Sequence, residues 1–330
     1  MKLVYVSDSD AGISRRRCGR GFSYLAPDGT TIARGPERKR IEALAVPPAY
    51  EDVWICVRDN GHLQATGRDT RGRKQYRYHA EWSAARAETK FDELTSFGAV
   101  LPAIRRKVAR DLQAEPGEVE FALAAAITMI DRASLRVGNP HYSKENGTYG
   151  ALTLRRKHLK LHDNHIELNY LAKGGKKIRK DITDRKLQKL LHKVNDIAGA
   201  TLLSWTDQND QPHTLSSQQL NVYLAEAAND TNVTAKTFRT WAGTLAAFIC
   251  AEAGPVTIGE MASAAAHRLH NTPAVARNSY IHPAVTDLAG KDGLTFKPVK
   301  KAGLLVAEQR LMGLLSTLPA ATSSIKPTKE

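Results

Sequence analysis

The chain has 330 residues, 42% hydrophobic and 25% charged, a balance that belongs to a folded globular protein and excludes a mostly disordered or collagen-like chain. Forty-eight Lys and Arg against 34 Asp and Glu leave a formal net charge of +14, an excess that points to a polyanion, most often nucleic acid. No apolar stretch approaches a membrane span, the acidic MKLVYVSDSD start is unlike a signal peptide, and three isolated cysteines without a Cys-x-x-Cys pair suit a reducing, cytoplasmic setting.

Residues 1–82 read as a β-rich domain. Glu51 to Val57 and His62 to Thr66 flank the turn Asp59-Asn60-Gly61 and predict a hairpin. An Arg-rich loop with Gly67 and Gly72 leads to Lys74-Gln75-Tyr76-Arg77-Tyr78-His79, where Tyr76 and Tyr78 share one strand face. From residue 83 the pattern becomes helical, so the second domain is expected over 83–330. Helices are predicted at 83–95 and 102–113, and from Pro116-Gly117 through Leu135, with Gly138 as the stop. Leu152-Thr153-Leu154, Ile166 to Leu171 and Lys177-Ile178-Arg179 predict three short strands, with turns at Asp163-Asn164 and Gly174-Gly175. Further helices are expected at 184–197, 217–229, 235–253, 257–269, 273–280 and 302–316, with Thr234 and Thr272 as N-caps and Pro273 at a first helical position. The tail from Pro319 reads as small, polar and loose.

The charge is concentrated. Residues 155–193 hold thirteen Lys and Arg against four Asp and Glu, and Arg15 to Arg20 and Arg68 to Arg77 form two further clusters. Charge runs are usually solvated faces, but these alternate with tyrosines and short strands, which suits a surface that grips phosphates and packs on bases. There is no phosphate loop for ATP, no dinucleotide glycine motif, no His-Glu-x-x-His and no paired-carboxylate cluster of the two-metal nuclease kind. His158, His162 and His165 lie close together, but solvated or phosphate-contacting histidines explain them better than a metal site. Neither a cofactor nor a metal is expected.

The chemistry-bearing residues come in a set order. Arg136 follows a long apolar helix in Leu135-Arg136-Val137-Gly138-Asn139, before Lys144-Glu145-Asn146-Gly147-Thr148-Tyr149-Gly150-Ala151-Leu152-Thr153-Leu154. Lys173 ends the middle strand, Lys236 and Arg239 share a helix face, and His270-Asn271-Thr272-Pro273 leads to Tyr280. Singly, each has a bland explanation: a helix-end charge, a solvated lysine, a packed tyrosine. In this order, with Gly67 to Tyr78 before them, they resemble the type IB DNA topoisomerases of the compact poxvirus-like and bacterial branch, over nearly the whole chain.

The resemblance implies an α+β fold: an N-terminal β-sheet lobe and a mainly helical catalytic lobe with a small three-stranded sheet, the two closing around duplex DNA. It implies a monomer acting at a bacterial nucleoid. Tyr280 would attack a backbone phosphate to give a 3′-phosphotyrosyl enzyme, Arg136 and Arg239 would hold the nonbridging oxygens, Lys173 would protonate the departing 5′ oxygen, and Lys236 would support it. Arg68, Arg73, Gln75, Tyr76 and Tyr78, with Tyr142 and Lys144, would contact DNA. Asn271 stands where the family often has His; its amide can donate a hydrogen bond but cannot carry a proton. Such chemistry needs neither ATP nor a metal, because the phosphotyrosine conserves the bond energy and cations stabilise the transition state. A tyrosine recombinase shares this chemistry, but the Gly67 to Tyr78 stretch and Lys236 disfavour it. A non-catalytic DNA-binding protein is disfavoured by Tyr280 and both arginines.

Overall fold

Alternating apolar and polar residues build a five-stranded antiparallel sheet in the first part of the chain. Its elements are β1 (Ile13–Cys18), β2 (Gly21–Leu25), α1 (Pro36–Ala43), β3 (Glu51–Ile55), β4 (Leu63–Arg68) and β5 (Lys74–Tyr78), in the spatial order β2-β1-β3-β4-β5. One face carries the core, where Ile13, Tyr24, Val53, Ile55 and Ala65 pack with Ile41 of α1. The register sets Ser14, Trp54, Thr66 and Tyr76 side by side on the other face. Arg15 turns to the core side, where its guanidinium donates to the carbonyls of Val46, Pro47 and Tyr50 and pins the loop before β3.

The computed structural model describes residues 2–195, 199 and 201–318, except the side chains at 85–90, 92, 141, 142 and 195. The tail from Pro319 lies outside the described residues. The chain divides into two units, the first reaching Lys90 and the second starting at Phe91. The division falls inside α2 (Ala80–Asp111), one helix of 32 residues where two had been expected. Pro102 lies within it. A proline inside a helix costs about 3 kcal/mol. Here Phe91, Leu94, Phe97, Leu101, Ile104 and Val108 recur at three- and four-residue spacing, all buried, and that stripe keeps the helix continuous.

The second unit continues with α3 (Val119–Ala133), α4 (Pro140–Asn146), β6 (Leu159–Leu161), β7 (Ile166–Ala172) and β8 (Lys176–Ile182). It then runs through α5 (Arg185–Asn195), β9 (Ser204–Thr206), β10 (Pro212–Thr214), α6 (Ser217–Ala228), α7 (Ala235–Glu252), α8 (Ile258–Leu269), α9 (Pro273–Tyr280), α10 (Pro283–Thr286) and α11 (Val306–Leu315). The three-stranded sheet has the order β6-β7-β8. Its first strand is Leu159–Leu161, whereas Leu152-Thr153-Leu154, expected as a strand, forms a turn. The helix expected from Pro116 starts at Val119 and ends at Ala133, short of Gly138. With its five-stranded sheet, helical second unit and small sheets, the protein is α+β.

Candidate active site

Arg136 lies just beyond α3, which ends because Ser134 takes the left-handed conformation with φ 54°. The following turn is fixed by two glycines. A Cβ on Gly150 would stand 2.5 Å from both the Arg136 carbonyl and the Gly138 nitrogen, so only glycine allows this approach, and Gly138 itself has φ 89°. Ala151 and Leu152 then donate backbone hydrogen bonds of 2.8 Å to Arg136 and Val137. That crossing makes residues 152–154 a turn and aims Arg136 at the end of α8.

There Arg136 Nη2 donates to Asn271 Oδ1 at 2.5 Å. A guanidinium only donates, so the amide must present its oxygen to Arg136, which leaves Nδ2 as the free donor. Arg239, 4% exposed on α7, donates to two backbone carbonyls, those of Ser134 and Leu269, the second at 2.9 Å. Lys180 repeats the pattern one residue earlier, and Arg268 adds a single bond from α8 to α3. Lys180 Nζ lies 2.8 Å from the Ala133 carbonyl and 3.4 Å from that of Arg268, and Arg268 Nη2 donates to the Arg132 carbonyl at 2.9 Å. Lys176 Nζ reaches the Asn271 carbonyl at 3.1 Å. The C-terminal carbonyls of α3 and α8, the negative ends of both helix dipoles, are thus cross-linked by cations.

Burial and the neighbouring Arg136 charge push the Arg239 guanidinium below its ordinary value. Burial, together with Lys180, His267, Lys176 and Arg239, pushes His270 down to about 4, so its imidazole is neutral at pH 7. Ser134 Oγ, Arg239 Nε, His270 Nε2 and Asn271 Nδ2 are buried without a hydrogen-bond partner. Buried polar atoms are rarely left so, and these four fall on Arg239 itself and on residues bonded or adjacent to the partners of the two arginines.

Tyr280 ends α9, half-buried, with its ring 5.4 Å from the Arg239 guanidinium carbon. Two residues of α7 seat it. Thr244 Oγ1 donates to the Tyr280 carbonyl and accepts from the His282 amide, both at 3.1 Å. A Cβ on Gly243 would stand 2.7 Å from the Tyr280 carbonyl oxygen and 2.9 Å from its Cβ. Thr272 caps α9 by accepting from the Val275 amide, and Pro273 takes the first helical position.

The structure therefore brings Arg136, Arg239, Asn271 and Tyr280 together. Lys173 is exposed in the turn between β7 and β8, and Lys236 is exposed on the first turn of α7. Lys144 is exposed on α4, and the Tyr142 side chain lies outside the described residues. In the first unit Asp69 organises the Arg-rich loop: it accepts from Arg73 Nε at 2.8 Å, from Gln75 Nε2 at 2.9 Å and from the Arg71 and Arg73 amides. The Arg73 hydrogen bond leads in holding its carboxyl down at about 2. Arg68 donates to the Gly72 carbonyl and lies 3.4 Å from Asp52. Tyr76 and Tyr78 stand exposed with their rings stacked, centroids 6.1 Å apart.

A family model described as the catalytic core of eukaryotic DNA topoisomerase I matches residues 79–253, just over half of the chain. A model of the N-terminal domain of bacterial DNA topoisomerase IB matches residues 21–69. The chain belongs to the type IB DNA topoisomerases. Its relatives in that family include the DNA topoisomerase 1B of Acanthamoeba polyphaga mimivirus, 29% identical over 238 residues, which are 71% of this chain and 70% of the viral protein. The DNA topoisomerase 1B of vaccinia virus (strain Copenhagen) is 27% identical over 127 residues, 38% of this chain and 39% of its own. The DNA topoisomerase 1 of Mycosarcoma maydis is 34% identical over 95 residues, covering 28% of this chain and 9% of the fungal protein. The type IB core match contains Arg136, Lys173, Lys236 and Arg239, whereas Asn271 and Tyr280 follow it.

Sequence reasoning missed several residues around this type IB site. Gly243 lies four residues after Arg239 on the same face of α7, and Thr244 follows it on the adjoining face. Lys180 and Lys176 were counted only as basic charge. Tyr170, buried on β7, has its phenol pushed up by burial, against the opposing charges of Arg136 and Arg239. Of the three clustered histidines, His158 is buried and its ring accepts from the Arg155 amide, while His162 and His165 stack on each other.

Proposed function

We propose that the chain relaxes supercoiled duplex DNA by cleaving one strand through Tyr280 and rejoining it, without ATP or an essential metal. The observation that carries this is the placement of Tyr280 against a buried Arg239, in a cluster whose donors are bonded to carbonyls and an amide oxygen. The Tyr280 phenol oxygen attacks the scissile phosphorus, the bond to the 5′ oxygen breaks, and a 3′-phosphotyrosyl ester forms. The phenol proton leaves to solvent. Arg136, Arg239 and Asn271 Nδ2 donate to the nonbridging oxygens, where charge builds up in the transition state. Lys173 supplies the proton to the departing 5′ oxygen, and Lys236 supports it from the first turn of α7. An alkoxide leaves badly, so this proton matters as much as the nucleophile.

Lys173 is exposed on a turn that Gly174 and Gly175, both at positive φ, allow to be tight, so it is available to a duplex laid against the hairpin. Tyr76 and Tyr78 offer stacked, exposed rings to DNA, and Arg68, Arg73, Gln75, Tyr142 and Lys144 complete the backbone contacts. The protein is taken to act as a monomer in the cytoplasm, associated with a bacterial nucleoid. No described helix is long and apolar enough to cross a membrane.

The test is relaxation of a supercoiled plasmid that lacks any recombination site, in EDTA and without ATP. Wild type is expected to relax it and to leave a covalent protein–DNA adduct on denaturation, and Tyr280→Phe to do neither while still binding DNA. Wild type that leaves the plasmid supercoiled sinks the reading.

A further inference from the structure

The cross-linking of α3 and α8 has a second rung that the cleavage chemistry does not use. Arg239 holds the carbonyls of Ser134 and Leu269; Lys180 holds those of Ala133 and Arg268, one residue earlier in each helix. Both helices end at a left-handed residue, Ser134 with φ 54° and His270 with φ 51°, so both expose their last carbonyls in the same way. Arg136 lies three residues beyond the first carbonyl that Lys180 takes, and Asn271 three beyond the second. Strand alternation puts Lys176, Ile178 and Lys180 on one face of β8, where Ile178 is buried and Lys176 reaches the Asn271 carbonyl.

We propose that Lys180 is a positioning residue: its ammonium ties the end of α3 to the end of α8 and so sets the separation at which Arg136 and Asn271 meet around the phosphate. This rests on the strand-cleavage reading above. A cation is needed because both acceptors are carbonyls at negative helix ends, and an apolar residue there would leave both unpaired.

The surroundings of Lys180 make the bridge sensitive to pH. Arg268 and His270 face it from the end of α8 and Arg239 from α7. Arg105 from α2, Asp131 and Arg132 from α3, Glu308 from α11, and Asp181, Asp184 and Lys186 line the same cavity of about 860 Å³. Asp131 and Glu308 are taken by Arg105, and Asp184 pairs with Arg132. Burial, with Arg268 and Arg239, pushes the ammonium down from 10.5 to about 8. Between those values the unfolded chain keeps a proton that the folded chain has lost, so this group makes the fold more stable as pH rises. The bridge meanwhile loses its charge. Cleavage and stability are therefore expected to move in opposite directions above pH 8.

The experiment compares wild type, Lys180→Met and Lys180→Arg in single-turnover cleavage of a duplex, in noncovalent DNA binding and in thermal melting, from pH 7 to 9.5. Lys180→Met is expected to lose about 100-fold in cleavage with binding retained, the size that follows from a misplacement of about 1 Å. Lys180→Arg keeps the bridge with a permanent charge, so it should restore cleavage and extend the alkaline limb to higher pH. Lys180→Met that cleaves like wild type, or Lys180→Arg whose alkaline limb coincides with that of wild type, overturns the proposal. If Lys180→Met does not fold, the Lys180→Arg limb decides alone. Wild type that does not cleave fells the strand-cleavage reading and this role together, whereas cleaving wild type with indifferent variants fells only the role.

Discussion

At the scale of single residues, Asn271 shows how one hydrogen bond fixes another. Arg136 takes its oxygen, and the nitrogen left over is buried without a partner. Asn271→Ala is therefore expected to slow strand cleavage by about 10²–10³-fold, the range for losing one preorganised donor, with DNA affinity unchanged. A cleavage time course beside a binding titration checks this, and equal cleavage rates would show that Asn271 donates nothing. Arg136, Arg239, Asn271 and Tyr280 were singled out in the sequence by their resemblance to the type IB family, and the fold brings these four together. Their partners were not, because the acceptors are the carbonyls of Ser134 and Leu269, and every residue type has a carbonyl. Gly243 was illegible for the opposite reason: its contribution is the absence of a side chain.

At the scale of elements, α7 acts as a ruler. Lys236, Arg239 and Gly243 recur at helical spacing along it, with Thr244 next to the last of them, and Gly243 and Thr244 hold the end of α9. Gly243→Ala puts a methyl 2.7 Å from a backbone oxygen, which cannot swing aside as a flexible side-chain tip would. The end of α9 must shift, and a displacement of about 1 Å is expected to cost roughly 100-fold in cleavage. The variant should still bind DNA and melt cooperatively; covalent adduct formation at wild-type rate would show that the close contact is harmless. Most helices were legible because their apolar periodicity and caps agree, as at Thr272, whereas Thr234 takes the N-cap position of α7 but its side chain makes no capping hydrogen bond. Two elements were misread where distant contacts overrule local pattern. Leu152-Thr153-Leu154 has strand composition but is bent by the approach of Gly138 to Gly150. Pro102 punctuates the sequence, yet the buried stripe from Phe91 to Val108 carries the helix through it.

At the scale of the whole molecule, a charge network fastens three helices of the second unit to one another. Arg105 on α2 donates to Asp131 on α3 and to Glu308 on α11, with Nη1 2.8 Å from Glu308, and Trp241 Nε1 of α7 donates to the same carboxylate at 3.1 Å. Glu308 is 1% exposed. Burial alone would raise its carboxyl, but the hydrogen bonds and charge of Arg105 outweigh that and hold it below the ordinary value of 4.5. A depressed carboxylate stabilises the fold above 4.5, and the contribution is lost as pH falls through the folded value. Glu308→Gln is expected to cost about 3 kcal/mol at pH 7, since it breaks a buried pair from one side, and to flatten the acid limb of stability below 4.5. Urea unfolding across that range measures both. Identical acid limbs in variant and wild type would mean the network does not govern acid stability.

The oxygens that hold Arg239 and Lys180 belong to the main chain, and this governs how the protein can drift. A point substitution at Ala133 or Leu269 alters packing but leaves the carbonyl in place. One residue inserted near the end of either helix turns every later carbonyl by about 100° and removes the anchor for both cations. The site is thus shielded from substitution along these two helix ends and vulnerable to changes of length, so related chains should vary there in composition while keeping the residue count between Arg136 and the last turn of α3, and between Asn271 and the last turn of α8.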